Sequence, residues 1–466
     1  MFMTSVQAID LVIHVESCCP ISRTQSYTSR YGTNGIFNTS FKSDLSMHYL
    51  IMPLGSAGDV HPFVGLALEL KRRGHAVTLS TNGYFAGLAK RFGLDFIELG
   101  SEAEFHAGIQ SPELWDPFRS FPYLYRKMIE PTVRPQFEIV AEESAKRPTT
   151  VLSNIFGFGA LNAQDKLGVT VVSVHLQPAM LWSRIRPPRM PGLFGPIWFQ
   201  NRIYELAQRL VIDPVVRPSL NRYRDELGLE PVKHVMQWWH SKSLLLCLFP
   251  DWFCPSQTDW PGPYSQVDFP LWDERENGNN AFPSDSLDVL EPFLKSGSKP
   301  IAFTPGSANL FGKEFFKIAT RACELIGRRA IFLTRFREQL PPILPKSILH
   351  VPFVPLSLLL PRCSAFVHHG GIGSASQAMA AGIPQLIRPQ AHDQFDNAMR
   401  IVKNGIGVCL KPRSFTSQAL ASKLKAMVDS EPMVKRCKRV AVKIERSRGL
   451  MQAVDVLDKL ALGHRF

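Results

Sequence analysis

The stretch "FVHHGGIGSASQAMAAGIP", residues 366–384, decides how the rest of the chain is read. With Ala365 before it, "AFVH" is a short apolar run of the kind that forms a buried strand. Glycines at 370, 371 and 373 follow, small residues predict a helix over 372–381, and Gly382 and Pro384 end it. A strand that passes through a glycine turn into a helix is the unit of a parallel, helix-covered sheet. The tandem histidines at the junction admit a metal site, a phosphate cradle or a packed turn. Neighbouring side chains on a strand point to opposite faces, so His368 and His369 do not readily share one ion. A helix start offers unpaired N–H groups and partial positive charge, which suits phosphate. The strand delivers His369 to its carboxyl end, where a histidine could donate to a phosphate oxygen. Gly370, Gly371 and Gly373 let the backbone approach an anion, and Ser374 adds a hydroxyl.

Outward from this stretch the alternation continues. Strands are expected at 299–304, 329–333, 348–352, 384–388 and 406–410, with helices at 312–326 and 393–404. The first half repeats the pattern from Met47: strand 48–54, a loop, helix 63–74, a second strand at 75–81, and later strands near 149–155, 169–174 and 243–249. The fold class is therefore α/β, as two doubly wound Rossmann-like domains facing a central cleft. Ligands of such sheets bind at the carboxyl ends of the strands. The expected divisions are a poorly ordered extension at 1–46, an N-terminal domain at 47–255, a Pro/Gly-rich linker at 256–290, and a C-terminal domain at 291–445. A terminal helix at 446–466 is expected to cross back to the first domain. Met47, directly before the first good strand, is a candidate natural start.

Four more loops fall at strand ends. "PLGSAGDVHPF" (53–63) is neither a phosphate-binding P-loop nor a dinucleotide fingerprint, because the glycine spacing and the Gly-Lys-Ser/Thr run are missing. It exposes Gly58, Asp59 and His61 at the cleft, with Asp59 either a helix cap or a general base. "TPGSANL" (304–310) could give phosphate donors from Gly306 and Ser307, or be a plain turn. Phe353 in "HVPFVPLSLLLP" could stack on a planar base or pack in the core. Asp393 and Gln394 in "RPQAHDQFDNA" could bind vicinal hydroxyls, or Asp393 could cap its helix; a metal set of His392, Asp393 and Asp396 is the weaker choice. Together these loops place diphosphate donors, hydroxyl binders and a carboxylate around one cleft, a set suited to a nucleotide-sugar.

The chain has 466 residues, a net charge of +13 and eight scattered cysteines with no C-x-x-C pair. That cysteine usage reads as reduced and cytoplasmic. The basic balance, with no zinc-finger spacing or dense Lys/Arg block, points away from nucleic acid. No apolar run is long enough to span a bilayer. Arg184, Arg186 and Arg189, followed by Leu193, Phe194, Trp198 and Phe199, suit a lipid–water boundary or an ordinary lid over the first domain.

"HVPFVP…FVHHGGIGSASQAMAAGIPQLIRPQAHDQFDNA" resembles the donor-binding motif of family 1 glycosyltransferases with the GT-B fold, and "GSAGDVHPFVGLALELKRRGHAV" resembles the opening of the same family. "SAGDVHPFVGLA", "LWDPFRSF", "LCLFPDWFCPSQTDWPGP" and "AHDQFDNA" are similar to rhamnosyltransferase B chains of rhamnolipid synthesis. The resemblance implies His369, Gly370, Gly371 and Ser374 on the diphosphate with Ser307 opposite, Phe353 under the base, and Asp393 and Gln394 on the sugar. It also implies Asp59 in the place of the catalytic base, with His61 a second candidate. Gln377 stands where plant relatives carry a ribose-binding glutamate.

The activity implied is inverting, metal-independent transfer of a hexose or deoxyhexose from a UDP- or dTDP-sugar to a hydroxyl of a lipid-like or other hydrophobic acceptor. No cofactor, no metal and no nucleic acid partner are expected, and peripheral contact with the inner membrane face is. A nucleotide-sugar epimerase and a non-catalytic partner subunit of another transferase are the other classes this architecture admits.

Overall fold

The computed structural model describes residues 46–466 apart from 117–118, 191–194, 275–283, 308 and 447, and of 284–287 the backbone alone. The expected extension up to residue 45, Leu193, Phe194 and residues 275–283 of the expected linker lie outside the described residues.

The first sheet has seven parallel strands in the order β3-β2-β1-β4-β5-β6-β7. They are β1 (His48–Met52), β2 (Ala76–Thr81), β3 (Asp95–Glu98), β4 (Thr149–Ser153), β5 (Thr170–His175), β6 (Leu244–Leu248) and β7 (Tyr264–Val267). The second sheet has six parallel strands in the order β10-β9-β8-β11-β12-β13. These are β8 (Ile301–Thr304), β9 (Ala330–Leu333), β10 (Ile348–Val351), β11 (Ala365–His368), β12 (Gln385–Ile387) and β13 (Gly407–Cys409). Central strands such as β1, β4, β6 and β11 are buried along their whole length. Continuous apolar runs rather than alternating ones are what burial on both faces demands.

Helices used below are α1 (Ala57–Arg72), α2 (Glu130–Lys146), α3 (Phe158–Leu167), α4 (Ile197–Ala207), α5 (Asp213–Glu226), α6 (Lys313–Ile326), α7 (Ile372–Ala381), α8 (Gln394–Lys403), α9 (Ser417–Val428), α10 (Glu431–Val442) and α11 (Arg448–Ala461). In each sheet the strand order reverses beside the first strand: between β1 and β4, and between β8 and β11. Such switch points open the crevice in which doubly wound sheets take their ligands.

Two boundaries differ from the sequence reading. The first sheet runs on to Val267, so the segment from 256 read as linker begins with an edge strand of the first domain. Helix α1 starts at Ala57, six residues before the expected Phe63 and with Pro62 inside it. The proline forfeits only the bond to the Gly58 carbonyl, and Gly58 is exposed to water. Helix α11 lies against α1, where Arg73 reaches Asp455 at 2.6 Å and Asp458 at 2.9 Å.

Candidate active site

The loop after β11 is built around two histidines with separate duties. His368 is fully buried and stacked on Phe366, with ring centroids 4.7 Å apart. The Gly370 N–H donates to its Nδ1 at 3.1 Å, which makes Nδ1 the acceptor and leaves Nε2 to donate to Gln385 Oε1 at 3.0 Å. Burial pulls its pKa down to about 3. His369 is partly exposed, and among the described residues its Nδ1 has no hydrogen-bond partner. Burial, and then the charge of His392, lower its pKa to about 4, so the ring is neutral at pH 7.

Gly306, after β8, has φ +110°, and a Cβ there would stand 3.1 Å from the His369 ring; a Cβ on Gly371 would stand 2.5 Å from Nε2. The two glycines therefore flank the imidazole. Gly370, at φ +100°, turns the chain where a Cβ would meet Ile387 at 2.7 Å. Gly371 caps α7 with no side-chain bond, and Gly373 and Ser374 follow in its first turn. Their amide hydrogens have no acceptor within the helix, which is the arrangement that binds anions. Ser307 is exposed on the loop carrying Gly306.

Facing this loop is the start of α1. Asp59 Oδ2 accepts from the Ser56 N–H at 2.9 Å and the Ser56 hydroxyl at 3.1 Å, closing a capping box. Gly55 is required beneath it, at φ +133° and with a Cβ position only 2.4 Å from Oδ2. Burial raises the Asp59 pKa while the Ser56 bonds pull it back. Asp393, before α8, is pushed up to about 7, first by burial and also by the charge of Asp59, against the bond from Asn397. The first-domain carboxylate thus acts electrostatically on the second-domain one. Asn397 Nδ2 donates to Asp393 at 2.6 Å and to the Gly370 carbonyl at 2.9 Å, tying the two C-terminal loops together.

Residues 49–147 match the glycosyltransferase family 28 N-terminal domain, and residues 330–447 match the erythromycin biosynthesis protein CIII-like C-terminal domain. The chain is 24% identical over 441 residues to a sterol 3-beta-glucosyltransferase of Candida albicans, covering 90% of this chain and 28% of that one. It is 25% identical over 436 residues to the O-mycaminosyltylonolide 6-deoxyallosyltransferase of Streptomyces fradiae, covering 89% and 98%. The solved spinosyn rhamnosyltransferase SpnG, complexed with thymidine diphosphate, superposes with a TM-score of 0.61 at 19% identity, over 88% of this chain and all of that one. The chain is a glycosyltransferase of GT-B architecture. It spans about a quarter of the length of the Candida sterol relative and nearly all of the Streptomyces one.

Several expected residues of this GT-B cleft are held differently from the sequence reading. His61 is turned away from Asp59: its Nε2 meets Glu274 at 3.2 Å and its ring packs edge-on against Trp272. Two residues along a helix is about 200° of rotation, so the pair cannot share a face. Gln394 is buried, and its Oε1 accepts the backbone N–H groups of Gln390 at 2.7 Å and Ala391 at 3.2 Å. Gln377 is buried within α7, where Arg446 Nη1 donates to its Oε1 at 2.9 Å. Phe353 is half-buried with the Arg335 guanidinium 5.3 Å from its ring centre, and Arg335 bonds the Tyr84 hydroxyl of the first domain at 2.7 Å. Asp396 is fully buried against Arg400 at 2.6 Å and accepts the Arg189 N–H at 2.9 Å, so it fastens the domains rather than joining His392 and Asp393 around an ion. Asn397, Asn309 and Gln390 were missed. Asn309 Nδ2 bonds Gln390 Oε1 at 2.9 Å, linking the β8 and β12 loops. The i+4 spacing of Asn397 from Asp393 was the signal available for the first of these.

Proposed function

We propose that the protein transfers a hexose or deoxyhexose from a UDP- or dTDP-sugar to a hydroxyl of an apolar acceptor, with inversion and without a metal. The observation that carries this reading is the opposition of Asp59 to the His369 loop across one cleft. The diphosphate lies against the start of α7, receiving bonds from the backbone N–H groups of Gly371 to Ser374 and from the neutral His369. Ser307 adds a donor from the β8 side. Asp393 takes sugar hydroxyls, and Gln394 serves by holding the loop on which Asp393 stands.

Asp59 Oδ2 is held by Ser56, while Oδ1 has no hydrogen bond among the described residues, leaving it for the acceptor proton. The acceptor oxygen attacks the anomeric carbon as the bond to the diphosphate breaks, and the proton passes to Asp59. Charge growing on the diphosphate is met by His369 and the α7 N-terminus, which need no rearrangement as the reaction proceeds. His61 is committed to Glu274, which favours Asp59 as base. A sterol glucosyltransferase and a tylonolide glycosyltransferase among the relatives support a polycyclic or macrocyclic apolar acceptor, and the thymidine diphosphate bound by SpnG supports a dTDP-sugar donor.

The deciding assay pairs UDP- and dTDP-sugars with sterol, macrolide and hydroxy-acyl acceptors and reads nucleotide diphosphate release together with the glycosylated product. Release that needs no acceptor, or an epimerised donor with no glycoside formed, would overturn the reading.

A further inference from the structure

We propose that the outer face of α4 and the turn that follows it dock the protein on an anionic lipid bilayer. Helix α4 runs without a break through a π-helical turn, Gln208–Ile212, into α5. Its polarity is inverted. The side turned to the protein carries Gln200, Tyr204 and Gln208, all buried, with the Gln200 amide on the Gly195 carbonyl at 2.7 Å and the Tyr204 hydroxyl on the Pro188 carbonyl at 3.1 Å. The side turned to solvent carries Phe199, Leu206 and Leu210, which are 41%, 52% and 66% exposed. Their spacing of seven and then four residues puts them on one stripe, and Ile203 fills the step between them. Ile197 and Trp198 extend the apolar surface at one end and Val211 at the other, all of them exposed. A single exposed leucine is ordinary; a continuous exposed stripe backed by buried glutamines marks an interaction surface.

Charge selects the partner. Between Ser183 and the end of α5 at Glu226 the chain has eight arginines and four acids, Glu205, Asp213, Asp225 and Glu226. Three of the acids are already engaged: Glu205 is spanned by Arg184 at 3.2 Å and Arg202 at 3.4 Å, Asp213 accepts the Val235 N–H at 2.9 Å, and Glu226 pairs with Arg134. Arg202 and Arg209, also seven apart, run along one edge of the stripe and are exposed. Arg209 and Arg217 also border a groove of about 270 Å³, together with Asp213, Pro214, Pro218 and Asn221. Apolar side chains with guanidinium groups along their border suit an interface of acyl chains below and phosphates above. A second copy of the chain is disfavoured, since a two-fold contact would set arginine against arginine. Among the described residues no helix is long and apolar enough to cross a membrane, so the contact is one of lying on the surface. This surface stands or falls independently of the transferase reading.

The test is co-sedimentation of the full chain with phosphatidylcholine vesicles and with vesicles also containing phosphatidylglycerol. Wild type is expected to sediment with the second and stay in solution with the first. Leu206→Asp with Leu210→Asp, and separately Arg202→Gln with Arg209→Gln, are each expected to lower partitioning by about tenfold or more. Both pairs should keep the wild-type thermal midpoint and wild-type nucleotide diphosphate release with a water-soluble acceptor. Wild type remaining in solution with both vesicle types would overturn the proposal, as would a leucine variant that sediments like wild type. A dimer in solution that the leucine variant dissolves would overturn it in favour of self-association. Loss of release with soluble acceptor in wild type itself would count against the transferase reading and leave the vesicle result to speak for the surface.

Discussion

Gly306 and His369 fit each other as knob and recess: the glycine has no side chain where the imidazole stands, and its φ of +110° is one that side chains rarely adopt. Gly306→Ala is strained on both counts and pushes the ring out of line with the α7 N-terminus. Calorimetric titration with dTDP or UDP should show affinity weakened by about tenfold, and His369→Ala should weaken it to a similar degree by removing the donor. Unchanged nucleotide affinity in His369→Ala would remove His369 from the diphosphate site.

Asp59→Asn keeps an oxygen for the Ser56 N–H and so preserves the capping box and the melting temperature. It cannot take a proton. Turnover should fall by about 10²–10⁴-fold while nucleotide affinity is kept. Wild-type turnover in this variant would move the base elsewhere.

Asp393 has its folded pKa raised to about 7 from an ordinary value of 3.8. The folded state therefore holds a proton that the unfolded chain releases, and this contribution is full below about 3.8 and lost as pH rises through about 7. Denaturant titrations should show wild type losing stability across that window. Asp393→Asn should flatten this slope, and Asp59→Asn should move its upper end to lower pH, since Asp59 is one of the charges holding the Asp393 pKa up. The acid limb of kcat/KM, in turn, should lie above the ordinary carboxylate range because burial raises the Asp59 pKa.

Asp396→Ala strips Arg400 of its buried partner and the Arg189 backbone of its acceptor. A loss of about 3 kcal/mol in denaturant titration is expected. Asp396→Asn, which can still accept from the Arg189 N–H, should lose less.

Gln377→Glu would place a carboxylate beside Arg446 at the position where relatives of the resembled family bind ribose. UDP, whose ribose has the 2′-hydroxyl that thymidine lacks, should gain about tenfold over dTDP in a competition titration. An unchanged ratio would put the ribose elsewhere.

The alternation of strands and helices was legible because parallel strands buried on both faces leave short apolar runs between glycine and proline breaks. Strand β7 was not legible: "YSQV" is half-exposed at a sheet edge inside a proline- and glycine-rich segment, so neither apolarity nor context marks it. The start of α1 was misplaced because Pro62 reads as a first helical residue when it actually sits in the second turn. Asp59 reads from the sequence as either cap or base: Oδ2 serves the cap, and the proposed base role falls to Oδ1. His61 and Gln394 carried the right chemistry at the right loops, but helix rotation and two backbone N–H groups claim them. For Asn397 the sequence offers only its i+4 spacing from Asp393, because its other partner, the Gly370 carbonyl, lies 27 residues away in the chain.

Helix α11 belongs to the first domain although it follows the second in the chain. Helix α11 binds Arg73 and His75 through Asp455 and Asp458, and Gly449 lies so close to the linker backbone that a Cβ would stand 2.2 Å from the Phe269 carbonyl oxygen. The two domains therefore cannot be prepared as separate contiguous fragments. During synthesis the first domain waits for α11, which is made after the whole second sheet, before its outer wall is in place, so a stop before α11 damages the first domain from a distance.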